Sequence, residues 1–536
     1  MSETTSSRIP SPGGESETAP SVPIPVVVRS SVSTVASLFL QQAALYGDRI
    51  ALEDAEKRFS YAELADRSAC LAGWLHAQGV ARGDRVAILS ENRTEYLEAM
   101  LACARIGAIL ACQNWRLAAG ELAHCLSLVE PKIVLTSPRH ADRLADLPSV
   151  VVAETLTFGA DYENVATTEA PADITLLEAV EDEDPLLILY TSGTTGLPKG
   201  AVLSHRAEIV RNMVTRAEFG VDTQDTFAAW SPLYHMGAME NSMGSLMAGG
   251  KVIIVDGFDQ QRLAEVVRDN ALGWLLLMPG MVGSFAAELK QRGITAKSVK
   301  VCGVMADLVP PAEIAEITEL LGAPYANTFG ATETGCPPCS SSLIPIGVAP
   351  QSLTKKQSPF CEVKLVDAED NPVALGKPGE LCMRGPTLFS GYWKAVSVNA
   401  EDFRGGWFHM GDVFVRHADG GLDFVDRVKY LIKSGGENIY PAEIERVLLA
   451  DPRVADAAVV RRADPKWGEV PVAFVARREG ESEETKGSLS ADDLYAKCRS
   501  ELAGYKQPKD IRFIAMEDFP RSASGKIQRH ELEKLL

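Results

Sequence analysis

Between Leu189 and His205 the chain reads LYTSGTTGLPKGAVLSH, which packs five Ser/Thr hydroxyls, three glycines and one lysine into a short span. Thr191, Ser192, Thr194 and Thr195 offer hydroxyl and amide donors, and Lys199 adds a point charge. Gly193 and Gly196 let the backbone turn tightly and come close to a ligand. This is equipment for gripping phosphate oxygens. It is not the G-x-x-x-x-G-K-[ST] loop, because Pro198 precedes Lys199 and Gly200 follows it. A plain polar turn rarely needs both this length and this density of hydroxyls.

Four further segments carry groups that could do chemistry: NTFGATETG (327–335), HMGD (409–412), VDRVKYLIKSGGENIYPAEIE (425–445) and PRSASGKIQR (520–529). Taken singly, Glu333 is an ordinary loop carboxylate, Asp412 a turn former, and Lys526 one of many solvated lysines. Together with the first loop, their order and spacing resemble the acyl-adenylate-forming superfamily of acyl-CoA synthetases, peptide-synthetase adenylation domains and firefly-type luciferases. The resemblance covers about residues 34–536.

The resemblance implies ATP, Mg2+ and coenzyme A as cofactors and assigns roles residue by residue. The 191–196 loop and Lys199 hold the β- and γ-phosphates. Asn327, Thr328, Phe329 and Gly330 line the adenine, with Phe329 standing where tyrosine is common. Thr332 meets the α-phosphate and Glu333 the magnesium, a hard cation that takes oxygen ligands. Asp412 and Arg427 hold the ribose, with Met410 where threonine is usual. Lys526 is the adenylation lysine: a fixed cation stabilises the charge that develops as a carboxylate attacks phosphorus. Lys429 is the pivot between domains. Gly435 and Gly436 line a tunnel for the pantetheine arm, while Trp467, Lys506 and Lys509 meet the nucleotide end of CoA. His235 joins Tyr234, Met236, Gly237, Val304, Met305, Ala331, Gly335 and Cys336 around the acyl group.

These groups need a scaffold. Leu186–Tyr190 is a continuous apolar run that reads as a buried strand, and Ser204 is an N-cap for the helix behind the loop. Strands at 85–90, 108–112 and 132–136 alternate with helices at 61–79, 94–106 and 118–128. The alternation resumes from 226 to 329, closing with a strand over 324–329. Such alternation predicts α/β layers: stacked, mostly parallel sheets flanked by helices. An acidic stretch over 159–185 reads as a subdomain junction, and short strands after Gly347 read as a small β-barrel-like piece. The expected division is a disordered leader over 1–30, an N-terminal domain over 31–428, and a small mobile α+β domain over 429–536.

Composition narrows the function classes. The 536 residues carry a net charge of -19, which argues against nucleic acid as a standing partner. Ten scattered cysteines with a single CxxC form neither a disulfide framework nor a zinc site. No apolar run is long enough to span a membrane and no signal-type start is present, so the cytoplasm is the expected compartment. The expected partners are a small carboxylic acid, ATP and CoA, with a homodimer left open.

Among branches, the motif around Tyr234–Gly237 has no carboxylate to pair an α-ammonium, and acyl-CoA synthetases commonly show a histidine where His235 stands. The expected substrate is an apolar aromatic, alicyclic or medium-chain monocarboxylic acid, since no Arg or Lys stands among the pocket residues to pair a second carboxylate. An acyl-AMP ligase, a luciferase-like oxidase, a carrier-protein acceptor and a non-catalytic nucleotide binder are the alternatives.

Overall fold

A computed structural model of the chain describes residues 30–147, 154–168, 180–191, 197–435, 437–478, 489–521 and 527–536. The expected leader lies, apart from Ser30, outside the described residues, as do Ser192, Gly193, Thr194, Thr195, Gly196, Gly436 and Lys526.

Two large sheets form the scaffold. In the six-stranded sheet, Arg85–Leu89, Ile109–Cys112, Ile133–Thr136, Glu154–Thr157 and Pro185–Thr191 run parallel, and Lys199–Ser204 folds back antiparallel on Pro185–Thr191. The eight-stranded sheet centres on parallel strands Lys251–Ile254, Thr226–Ala229, Ala271–Leu275 and Ser298–Cys302. Successive side chains on one strand face opposite layers. Val86 and Ile88 therefore join the large core shared with Leu52, Phe227, Ala229 and Val252 of the second sheet, while Ala87 and Leu89 join a separate cluster with Leu122 and Leu126. Both sheets are covered on both faces, which is why their strands read as continuous apolar runs.

The helix Thr94–Ile106 lies in the layer between the sheets and is buried at every position. Its acids are paired: Glu95 with Arg93 at 2.8 Å and Lys57 at 2.9 Å, and Glu98 with Arg67 at 3.0 Å. Among the described residues no helix is long and apolar enough to cross a membrane.

Beyond these layers, Glu362–Val366, Pro378–Arg384, Phe408–Arg416 and Leu422–Arg427 form an antiparallel sheet. The C-terminal strands Ile432–Ser434, Glu437–Ile439, Val454–Asp464, Gly468–Arg477 and Asp510–Phe513 make a separate five-stranded sheet. Its helices Pro441–Leu449 and Ala491–Glu501 enclose a core of their own around Ile432, Ile444, Val459 and Leu494.

Two expectations change. The acidic junction does not begin at 159: Glu154–Thr157 is an edge strand, and the helix Ala160–Thr167 packs on Tyr61–Ala77 with Tyr162 fully buried. One exposed face on each element hid them in a polar-looking stretch. The strand expected over 324–329 is two elements, Tyr325–Ala326 in the eight-stranded sheet and Phe329–Ala331 paired with Gly335–Cys339. Asn327 makes the break, donating from Nδ2 to the Leu353 carbonyl (2.9 Å) and accepting at Oδ1 from buried Lys355 (2.6 Å).

Candidate active site

The phosphate-type loop leaves the sheet at Thr191 and returns at Lys199, where the two strands pair Thr191 with Lys199. The buried Thr191 hydroxyl has no hydrogen-bond partner among the described residues. An orphaned buried donor at the mouth of such a loop fits an anionic ligand.

Behind the return strand lies a segment the sequence reading passed over. Residues 390–393 pair with 200–202 through Ser390 N to Val202 O (2.8 Å), Val202 N to Gly391 O (3.0 Å) and Trp393 N to Gly200 O (2.8 Å). This places the Tyr392 ring against Lys199, whose Nζ stands 3.8 Å from the ring centroid and 3.8 Å from Asp402 Oδ2. The Tyr392 hydroxyl donates to Glu333 Oε1 at 2.7 Å, and the Glu333 carbonyl accepts from Phe389 N at 2.9 Å. Lys199 and Glu333, predicted from distant motifs, therefore share one neighbour. Glu333 offers carboxylate oxygen, the donor type magnesium takes, so the residues present fit that ion.

At the other end of this region, Asp412 and Arg427 lie opposite each other on adjacent strands, and Arg427 Nε meets Asp412 Oδ1 at 2.9 Å. Asp412 is 2 % exposed and turns in after Gly411, whose φ of 71° suits glycine. Gly411 N donates to Glu380 Oε1 (3.1 Å), and Glu380 Oε2 contacts His409 Nδ1 (3.0 Å) and Arg404 (3.3 Å). Glu380, Cys382 and His409 converge closely enough to suggest a metal, but these contacts and the soft sulfur donor do not suit magnesium. Phe329 is half-buried, 4.8 Å from the Phe414 ring and stacked on Phe424 at 5.5 Å. The Asn327 side chain is fully engaged by Leu353 and Lys355, and Met305 N approaches the Thr328 hydroxyl at 3.4 Å. Gly330 is required where it stands, since a Cβ would fall 2.0 Å from the Gly335 carbonyl.

Several of the residues expected around the acyl group belong to the large core or border it. Tyr234 belongs to the large core, and Met236, Val304 and Cys336 pack against it together with Trp115. The Tyr234 ring is 4.6 Å from His235 and edge-on to Trp115 at 6.4 Å. Gly237 faces Leu276, and Met305 is 40 % exposed with a left-handed backbone (φ 49°). Gly303 leaves no room for a side chain, since its Cβ would strike the Tyr325 ring at 2.1 Å.

Beneath this wall lies an ion pair that the sequence reading missed. Arg211 is ion-paired to Glu240 and donates to the carbonyls of Thr332 (3.1 Å) and Thr387 (2.8 Å). Its side chain also fills the space a Cβ on Gly335 would need, and Ala331 sits in the same ribbon as Gly335. Glu208, fully buried, is pushed well above the carboxylate range by burial, and the neighbouring Glu240 charge adds to the rise. Burial also raises Glu240 and lifts the Cys336 thiol to about 12. Neither Glu208 carboxylate oxygen has a hydrogen-bond partner among the described residues, whereas Glu240 takes Arg211 Nη1. Arg211 thus stands against Gly335 with Nη1 on Glu240, while its buried Nη2 has no hydrogen-bond partner among the described residues.

The C-terminal groups are arranged differently. Gly435 N donates to the Trp467 carbonyl at 2.7 Å, and Trp467 is 44 % exposed, with its ring filling the space beside Gly435. Lys506 pairs with Glu443 at 2.6 Å, while Lys509 and Lys429 are exposed. Lys429 sits in the single turn Val428–Tyr430 that links the last strand of the antiparallel sheet to the C-terminal sheet.

Comparison with known proteins agrees with this layout. The model of the AMP-binding enzyme family matches residues 39–393, and that of the AMP-binding enzyme C-terminal domain matches residues 443–526. The chain belongs to the AMP-binding enzyme family. It is 33% identical over 512 residues to an indoleacetate–CoA ligase of Aromatoleum aromaticum, covering 92% of this chain and 97% of that one. It is 35% identical over 481 residues to a feruloyl-CoA synthase of an Amycolatopsis species, covering 89% and 93%. Among solved structures it is similar to the o-succinylbenzoate CoA synthetase of Bacillus subtilis. In complex with its acyl-adenylate intermediate that protein superposes with a TM-score of 0.80 at 27% identity, covering 92% of this chain and 97% of that one. With ATP and magnesium ion the TM-score is 0.78 at 26% identity, covering 92% and 99%.

Proposed function

We propose that this enzyme is an ATP- and CoA-dependent acyl-CoA synthetase acting on an aromatic monocarboxylic acid. The observation that carries the reading is the course of residues 329–336. On one side Glu333 meets Tyr392, beside the phosphate-loop lysine; on the other, Gly335 and Cys336 face Arg211 and the apolar wall. Thr332, next to Glu333 and with its carbonyl on Arg211, is where a carboxylate and an α-phosphate would meet. The aromatic relatives and the Trp115–Tyr234–His235 wall support an aromatic acid.

The chemistry needs two steps, because oxide is too poor a leaving group for direct thioester formation. A carboxylate oxygen attacks the α-phosphorus, the bond to the bridging oxygen breaks, and pyrophosphate departs. The thiol, having lost its proton, then attacks the acyl carbon and AMP leaves. Asp412 and Arg427 orient the ribose, Lys199 and the Thr191 loop grip the outgoing phosphates, and Lys526 stabilises the charge developing at phosphorus. Glu333 would hold magnesium, which when bound would supply further charge neutralisation on the phosphates. Trp467, Lys506 and Lys509 present CoA, whose arm passes Gly435 and Gly436, after rotation of the 429–536 unit about Lys429.

Ten cysteines without a disulfide support a reducing compartment, the cytoplasm. The assembly that goes with this reading is a monomer or a homodimer, and sedimentation velocity decides between them. The test of activity is a panel of acids scored for AMP release and for thioester. Aryl monocarboxylates should lead in kcat/KM over acetate and succinate, with thioester formed one-for-one with AMP. Succinate or malonate ranking first, or acyl-AMP accumulating in the presence of CoA, would overturn it.

A further inference from the structure

Tyr392 has two surfaces, and each is in contact with a different part of the phosphate machinery. Its hydroxyl edge donates to Glu333 Oε1 at 2.7 Å, and its ring face lies under Lys199 Nζ at 3.8 Å. The residue itself is firmly held. Its N–H donates to Asn399 Oδ1 (2.8 Å), its carbonyl accepts from Asn399 Nδ2 (2.9 Å), and its ring packs edge-on against Phe389 at 4.9 Å. Only 6 % of it is exposed.

We propose that Tyr392 is a positioning residue: its hydroxyl aims the metal-binding carboxylate of Glu333 while its ring supports Lys199, keeping metal ligand and phosphate-loop cation in one register. A free glutamate in a loop has several rotamers, and one short hydrogen bond from a fixed phenol removes most of that freedom. One carboxylate oxygen is thereby tied, and the other is left to face a cation. A cation over an aromatic face is likewise held without neutralising it, which leaves Lys199 charged for phosphate. Asp402, 3.8 Å from the same ammonium, is the one carboxylate in contact with Lys199 among the described residues. The inference rests on Glu333 being the magnesium ligand.

The test is calorimetric binding of ATP with and without magnesium, using wild type, Tyr392→Phe, Glu333→Gln and the combined variant. Tyr392→Phe keeps the ring and removes only the hydroxyl. It should leave magnesium-free ATP affinity within about twofold and cut the magnesium-dependent gain in affinity several-fold, toward the value of Glu333→Gln. The combined variant should lose no more than Glu333→Gln alone, because the two groups act as one unit. Thioester formation from synthetic acyl-AMP and CoA should stay near wild type in Tyr392→Phe, which shows the fold intact. A full magnesium gain in Tyr392→Phe, with the gain lost in Glu333→Gln, overturns the role of Tyr392 alone. A full gain in Glu333→Gln overturns both that role and the assignment of Glu333. Strictly additive losses overturn the coupling.

Discussion

The site residues of the N-terminal body and those of the C-terminal unit are built on opposite plans. In the body, several side chains of the site are tied into partly or wholly buried pairs: Glu333 to Tyr392, Asp412 to Arg427, and Arg211 to Glu240. In the C-terminal unit, Trp467 is 44 % exposed and Lys509 and Lys429 face solvent. Even there, the interior is tightly organised: Arg529 meets Glu445 at 2.6 Å. What is exposed is the surface that carries Trp467, Lys509 and Lys429. A preorganised body can bind ATP and acid in one geometry, whereas a unit serving two successive steps must offer its groups from a surface that can turn.

The largest effect that would break this contrast concerns the buried pair. Glu240→Ala strands the Arg211 charge, and breaking a buried pair costs about 3–5 kcal/mol. Chemical denaturation should show a loss of that order, with Glu240→Gln losing less; a loss below about 1 kcal/mol would mean the pair is not part of the preorganised body. Next comes Lys526→Ala, which should cost acyl-AMP formation roughly 10²–10³ in rate while sparing thioester formation from synthetic acyl-AMP. Equal losses in the two half-reactions would mean that the lysine shapes the fold or lies elsewhere.

The buried body should also show an acid limit. Burial lowers His205 from 6.5 to about 4, and its Nδ1 accepts from Val35 N at 3.1 Å as a neutral ring. The unfolded chain therefore binds this proton first. Stability is fully present above the unfolded value and falls as pH drops from about 6.5 toward 4, by up to about 1.4 kcal/mol per unit from this group. His205→Gln should flatten that limb of the denaturation profile, and an unchanged slope would refute the assignment. The smallest effect is expected outside: Trp467→Ala should raise the KM for CoA a few-fold and leave the KM for ATP and the melting temperature alone. A matching rise in the KM for ATP would place the indole nearer the first step.

Much of the fold was legible because burial writes a strong pattern. Thr94–Ile106 falls where the alternation puts it, and Ser204 caps its helix through the Ala207 amide at 3.3 Å. The acidic 159–167 segment was misread because its helix buries only Tyr162 and Ala166. The break at Asn327 was hidden because its cause, Lys355, is 28 residues away. The motif residues were legible as types, but their supports were not. Arg211 and Glu240 each look like a routine charge on a helix, 29 residues apart, and only the fold brings them together. Tyr392 lies 59 residues from Glu333 in a stretch that reads as ordinary strand-and-turn texture. Side chains that touch substrate leave local signatures, whereas side chains that hold them in place do so through tertiary contacts.

The account's central claim, one rigid body served by one turning unit, is tested most directly at Lys429. This residue lies in the turn between the two, and proline there fixes φ near -65° and removes an amide donor. Acyl-AMP formation and thioester formation should be measured separately in Lys429→Pro, alongside its melting temperature. The account predicts that one half-reaction persists, the other is lost by orders of magnitude, and the protein melts near wild type. Two half-reactions that both run normally would contradict it.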